Sequence, residues 1–206
     1  MHKLKLTYFD IDGGRAEPAR LAMHVGRIPF EDDRFTFAQF AEIKKAMPLA
    51  QVPVLTIDGL QVTQCNAINR FVGKLAGLYP RDPFQALLCD EILEAVEDVD
   101  NRIGPTLGMQ GEEFKRARKA LVDETFPRYL KFLQARLLAR GGDFFIENRL
   151  SMADLKVFCL IRWLNSGLLD HVPTTLVETL APELNRHCQR IAQVPEIAEY
   201  YAGRAE

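Results

Sequence analysis

In "LTYFDIDGGRAEPAR" a tyrosine, Tyr8, ends an alternating segment and is followed by two glycines and Arg15. A phenol there either packs half-buried in a core or serves a ligand site. The C-terminal end of a strand in an open α/β sheet is where ligands bind, which favours the second use. Arg15 stands where a helix pattern begins, an end whose dipole favours anions. It is either a surface residue or a cation with a negative group beside it. Further along, Gln64 and Cys65 open another helix pattern. Free N–H groups at such a start suit a ligand carboxylate. Cys65 reads either as a thiol of depressed pKa or as a small residue that admits close approach. Pro53 interrupts the apolar run "AQVPVLTI". Proline cannot donate to a ladder, so its strand is an edge or bends there. A cis Val52–Pro53 bond would leave the Val52 main chain open to pair with an extended peptide. Glu91, Glu94 and Asp98 share one helix face. One helix converges too little for a metal site, so that face reads as solvated.

These residues need elements to position them. In "KLKLTYF" Leu4, Leu6 and Tyr8 alternate with Lys3, Lys5 and Thr7, the period of a strand. A helix is predicted over 15–25, with Pro18 in its first turn, Gly26 just past its end, and Ala19, Ala22 and Met23 as its packing stripe. "IPFEDDRF" reads as a second strand, and 37–46 as a second helix, on Phe37, Phe40, Ile43 and Met47. Asp58-Gly59 between "VPVLTI" and "LQVT" predicts a two-residue hairpin, with Ile57 opposite Leu60 and Leu55 opposite Val62. A helix over 64–76 follows, closed by Gly77. Strand-helix-strand order implies parallel pairing with a right-handed crossover. The fold class predicted is a small α/β domain over 1–78, a linker "YPRDPF" over 79–84, and an all-helical domain over 85–206. Its helices are predicted over 84–108, 112–139, 151–167 and 180–192, with a short piece at 196–201. Ser151 and Asp154, three apart and flanked by Leu150 and Leu155, form a capping box with a hydrophobic staple.

Bulk properties narrow the function. The chain has 206 residues and a net charge of −2, which offers nucleic acid or an anionic membrane no electrostatic attraction. No run approaches the roughly 20 apolar residues of a membrane span. The N-terminus alternates, unlike a secretory signal. Cys65, Cys89, Cys159 and Cys188 are scattered, so neither a zinc site nor a disulfide framework is suggested, and a reducing cytoplasm is expected.

Four segments, "LTYFDIDGGRAEPAR", "QVPVLTIDG", "TQCNAINRFV" and "FIENRLSMADL", stand in order over nearly the whole chain. Together they resemble the cytosolic glutathione S-transferases, most closely the sigma-like class. The resemblance implies a thioredoxin-like domain joined to a helical domain, a homodimer, glutathione as co-substrate, a small apolar electrophile, and no metal. It assigns Tyr8 as the catalytic tyrosine that donates to the glutathione sulfur, with Arg15 as the nearby arginine. Val52 pairs through its backbone with the cysteinyl unit, and Pro53 is the cis-proline. Gln64 and Cys65 hold the γ-glutamyl end. Lys44 and Gln51 lie near the glycine carboxylate, with Ala50 and Phe40 also at the glutathione site. Asp98 reaches the γ-glutamyl amine of the neighbouring subunit. The electrophile would meet Phe9, the "DIDGG" loop and Ile103 to Leu107.

Three features depart from the family pattern. Cys65 replaces a serine, and a thiol is a poor donor. Phe40 replaces a tryptophan. The "DIDGG" loop is one residue longer. Weakened glutathione binding is the expectation. Two other readings remain: a non-catalytic relative or carrier, or an isomerase or peroxidase of the same fold. A glutaredoxin-like use of Cys65 lacks a cysteine at the end of the first strand.

Overall fold

The computed structural model describes residues 2–204. The chain forms two compact units. One runs through Tyr79 and also includes the segment from Pro195 onward, and the other is Pro80–Val194. The sheet unit holds β1 (Leu4–Phe9), α1 (Glu17–Val25), β2 (Glu31–Phe35), α2 (Phe40–Ile43), β3 (Val54–Ile57), β4 (Leu60–Val62) and α3 (Cys65–Leu75). Strand order is β2-β1-β3-β4. β1 and β2 are parallel, as a helical crossover requires. β3 runs antiparallel to both β1 and β4. The hairpin has the register predicted, Ile57 opposite Leu60 and Leu55 opposite Val62. Asp58 and Gly59 both take positive φ, 48° and 92°, the geometry whose twist suits a two-residue hairpin. Together with the all-helical unit, this is a thioredoxin-like domain with a helical partner domain.

The last helix, α10 (Pro195–Ala202), packs on α1 and belongs to the sheet unit. The sequence pattern had grouped it with the all-helical segment. Ile197 and Tyr200 are its buried residues.

Several predicted helices are shorter or broken, each for a local reason. α1 begins at Glu17, not Arg15, which lies in the preceding turn. Glu17 in the first turn suits the dipole. The helix predicted over 37–46 is one α-turn at Phe40–Ile43 between two 3₁₀ turns. It buries no residue, so no packing face holds it in one regular helix. The 112–139 helix is interrupted. α5 (Gly111–Ala120) and α6 (Phe126–Leu138) meet at a π-turn, Leu121–Thr125. Pro127 follows that turn, has no N–H to give, and clashes with the carbonyl four residues back. α9 (Pro182–Ala192) matches the helix predicted over 180–192, while the short α8 (Leu176–Leu180), separated from it by Ala181 at φ −151° and Pro182, was not predicted.

In the helical unit, α4 (Pro83–Ile103) is capped by Asp82, whose carboxylate accepts from Gln85 N–H at 2.9 Å. α7 (Met152–Asn165) is buried along most of its length and packs against α4 and α9. Its buried Lys156 is paired with Glu97 at 2.8 Å and Asp100 at 3.3 Å on α4. The predicted capping box is present, and its acid does more than cap. Asp154 accepts from Ser151 N–H at 2.8 Å and Ser151 O–H at 2.6 Å. It also accepts from Phe145 N–H at 3.0 Å, and His187 Nε2 of α9 lies 2.9 Å from it. All of this is fully buried, so removing the carboxylate strands several donors at once. Each stranded buried donor costs about 1–3 kcal/mol. Asp154→Ala is therefore expected to lose at least about 3 kcal/mol by urea unfolding, and Ser151→Ala only about 1 kcal/mol.

Candidate functional site

Tyr8 sits near the end of β1 and is 7% exposed. Its hydroxyl oxygen accepts a hydrogen bond from Arg15 N–H at 3.2 Å. The main chain of the "DIDGG" loop therefore closes back onto the phenol. Gly14 makes that closure possible. A Cβ built on Gly14 would lie 2.7 Å from the Tyr8 hydroxyl, and its φ of +69° disfavours a side chain besides. The phenol oxygen thus accepts from the loop that follows its own strand.

The loop is pinned from below by two arginines. Arg20 of α1 is fully buried, and its Nη1 donates to Ile11 O at 3.0 Å. Its Nη2 donates to Phe9 O at 3.2 Å, and its guanidinium carbon lies 5.7 Å from the centroid of the Tyr8 ring. Asp32 and Glu17 neutralise it at 2.9 and 3.3 Å. Arg34 of β2 also donates to Ile11 O, at 3.2 Å, and pairs with Asp32 at 2.6 Å. Burial alone would lower the Arg34 pKa. Its bond to Asp32 and that group's charge outweigh burial and hold it above the usual value. α10 closes the same network. Tyr201 O–H donates to Glu17 at 3.0 Å, Arg34 donates to Tyr200 at 3.3 Å, and Arg204 donates to Asp12 at 2.5 Å. Burial pushes the Glu17 carboxyl up, against the pull of Arg20 and Tyr201.

The Val52–Pro53 bond is cis. Both residues lie just before β3, outside the ladder. The register brings the distant positions to one end of the sheet. Thr7 pairs with Val54, so the next step sets Tyr8 level with Pro53. Leu55 pairs with Val62 at the end of β4, and Gln64 follows two residues later. Gln64 is exposed at the start of α3 with φ 72° and ψ 105°, a backbone that non-glycine residues seldom adopt. Cys65, the first residue of α3, is buried and turns its thiol onto Asn66 Oδ1 at 3.7 Å. The hydrogen-bond reach of that thiol is thus directed along the helix.

Phe40 packs against Phe9, with ring centroids 5.0 Å apart, and Lys44 lies over its ring at 5.8 Å. Ala50 has positive φ and is exposed, and Gln51 beside it is extended and exposed. Asp98 is on α4 in the helical unit, exposed, and accepts from Tyr129 O–H at 2.9 Å. The predicted solvated acidic face on α4 is partly paired, with Glu91 bound to Arg136 at 2.8 Å.

The sequence pattern did not pick out Gly14, Arg20, Arg34 or Asp32 as contributors. One signal was readable: Arg20 lies among Ala19, Leu21, Ala22 and Met23, a stretch that should be wholly apolar if it only packs. The links to Arg34, Tyr201 and Arg204 join positions far apart in the chain and leave no periodic mark.

Comparison with known proteins agrees with this geometry. The family model "Glutathione S-transferase, N-terminal domain" matches residues 4–74, and "Glutathione S-transferase, C-terminal domain" matches residues 97–204. A Caenorhabditis elegans relative named glutathione S-transferase P 10 is 34% identical over 175 residues, 82% of this chain and 81% of that relative. The solved prostaglandin synthase D of Nilaparvata lugens superposes with a TM-score of 0.87 at 27% identity, covering 98% of both chains. The Fasciola hepatica sigma class glutathione S-transferase superposes with a TM-score of 0.84 at 26% identity, over 100% of this chain and 98% of that one.

Two outcomes follow from the packing around Tyr8 and Cys188. Gly14→Ala should displace the phenol and cost about 1 kcal/mol or more, read as a lower thermal midpoint and an altered near-ultraviolet tyrosine signal. Burial pushes the Cys188 thiol up to about 12. Cys188 is therefore expected to resist alkylation by iodoacetamide at pH 8 in the folded protein and to react fully in urea, as peptide mapping would read.

Proposed function

Because this chain belongs to the glutathione S-transferase family of enzymes, we propose that it activates the glutathione thiol with Tyr8 for attack on small apolar electrophiles. The observation that carries this reading is the Tyr8 hydroxyl, buried at the strand end and held by the Arg15 N–H at 3.2 Å. A thiol of reference pKa about 8.5 is only a few per cent thiolate near pH 7. Each unit of lowering takes about 1.4 kcal/mol of preference for the thiolate. A phenol hydrogen bond to the sulfur supplies part of it, and the Arg15 charge supplies more. The thiol proton leaves to solvent. The sulfur lone pair forms the bond to the electrophilic carbon, and the leaving group departs with its bonding pair, as halide from an aryl halide. Tyr8 keeps its proton throughout.

The rest of the proposed site draws on the residues around Pro53 and Gln64. The Val52 main chain pairs with the cysteinyl unit as an added strand. Gln64 and the N–H groups at the start of α3 take the γ-glutamyl carboxylate. The thiol of Cys65 is turned onto Asn66, so this end leans on the main chain. Lys44 and Gln51, with Ala50 beside them, take the glycine carboxylate, and Phe40 forms an apolar wall. Asp98 serves the partner subunit's glutathione in a homodimer, giving up its bond to Tyr129 when it does. Within the family, the sigma-like class is the one we propose, on the resemblance of the four segments. The domain boundary we propose is the 79–84 linker. Among the described residues no helix is long and apolar enough to cross a membrane.

Tyr8→Phe should slow conjugation of a chromogenic aryl halide about 10–100-fold, the loss of one charge-assisted hydrogen bond in the transition state. A variant with full rate would remove Tyr8 from the mechanism. Cys65→Ser should lower the KM for glutathione about two- to tenfold with kcat little changed, because a hydroxyl donates where a thiol hardly does.

A further inference from the structure

α10 packs on α1 within the sheet unit, and its Tyr201 is half-buried. The Tyr201 O–H donates to Glu17 Oε1 at 3.0 Å. Glu17 Oε2 accepts from Arg20 Nη1 at 3.3 Å, and both of these side chains are fully buried. Arg20 in turn donates to Phe9 O and Ile11 O, the carbonyls on either side of Asp10. Phe9 follows Tyr8 directly, and the Arg20 guanidinium carbon lies 5.7 Å from the Tyr8 ring centroid. A continuous hydrogen-bonded chain therefore runs from a phenol on α10 to the main chain beside Tyr8.

This chain depends on charge at its middle. Arg20 is paired with two carboxylates, Glu17 and Asp32, the second at 2.9 Å. Burial pushes the Glu17 carboxyl up, and Arg20 and the Tyr201 hydrogen bond work against that. Without the Tyr201 hydroxyl, Glu17 loses a donor and moves toward its neutral form. A neutral Glu17 attracts Arg20 less, and Asp32 then draws the guanidinium toward itself. The grip on Phe9 O and Ile11 O loosens with that shift. Arg34 also donates to Ile11 O, so the loop keeps an anchor and the fold survives. What is lost is precision at the phenol. A displacement of about 1 Å, too small to unfold a protein, is enough to slow a reaction severely.

We propose that Tyr201 is a positioning residue for Tyr8, acting through Glu17 and Arg20 on the main chain that carries the phenol. The proposal rests on the reading of Tyr8 as the group that activates the glutathione thiol. Tyr201 acts at a distance from the tripeptide, so its effect falls on thiol activation and not on affinity for glutathione.

The test compares the parent protein with Tyr201→Phe, Tyr8→Phe and the double variant. Phenylalanine keeps each ring and removes only the hydroxyl, so all four should share one circular dichroism spectrum. The amide of Arg15 donates to the Tyr8 oxygen. In Tyr201→Phe, without glutathione, that amide should exchange with solvent at least about threefold faster. The thiolate midpoint of bound glutathione should rise by about half a unit. The kcat for a chromogenic aryl halide should fall about threefold, with the KM for glutathione unchanged. Added to Tyr8→Phe, the Tyr201 substitution should change neither midpoint nor kcat further, because residues that act as one unit do not add. A midpoint unmoved by Tyr8→Phe would remove the reading of Tyr8 and the proposal with it. A midpoint that Tyr8→Phe moves and Tyr201→Phe does not would overturn the positioning role alone. So would unchanged Arg15 exchange, or losses in the double variant that equal the two single losses combined.

Discussion

The hydrogen bond from Arg15 N–H to the Tyr8 oxygen fixes the end of β1, the course of the loop after it and the entry into α1. It forms only because Gly14 has no side chain to meet the phenol. Arg20 and Arg34 both donate to Ile11 O, so the loop is held at a second point besides the hydroxyl. On the proposed role, a phenol that donates to a sulfur cannot wander by an ångström without losing most of its effect. The chain accordingly spends three arginines, two acids and the tyrosines of α10 on holding one short loop still.

Buried charge recurs in this molecule, and several instances are completed by partners. Arg20 has Asp32 and Glu17, Lys156 has Glu97 and Asp100, and Asp154 has the donors of Ser151 and Phe145. A buried ion pair adds little stability over an apolar packing of the same volume, yet breaking one is costly. In the sheet unit the Arg20 network fixes a loop. In the helical unit the Lys156 pairs join α4 to α7, and Asp154 joins the start of α7 to α9. Arg118, with Nε and Nη1 buried and unmatched among the described residues, and Glu91, with Oε2 likewise, are incomplete.

Much of the fold was legible in the sequence because its signals are local. Asp58-Gly59 dictates a hairpin register by turn geometry alone, and β3 in turn pairs with β1 so that Pro53 comes beside the end of the strand that carries Tyr8. Ser151 and Asp154 mark a helix start by spacing. Helix ends were less legible, because 37–46 has helical spacing but no face to bury, and because Pro127 breaks a pattern that otherwise continues. The placement of α10 was not legible. Its partners Glu17, Arg34 and Asp12 lie at the other end of the chain, and no periodicity in either segment refers to the other. For the candidate site, Tyr8, Val52 and Gln64 were readable as residue types at strand and helix ends. Arg20 was visible only as a charge in an apolar stretch.

The central claim is that Tyr8 holds bound glutathione as its thiolate. Ultraviolet thiolate absorbance of the glutathione-bound protein, titrated with pH, tests it most directly. The account predicts a midpoint at least about one unit below the free-thiol value of about 8.5, with Tyr8→Phe restoring it toward that value. A midpoint at the free value in the parent protein, or one unmoved by Tyr8→Phe, would contradict it.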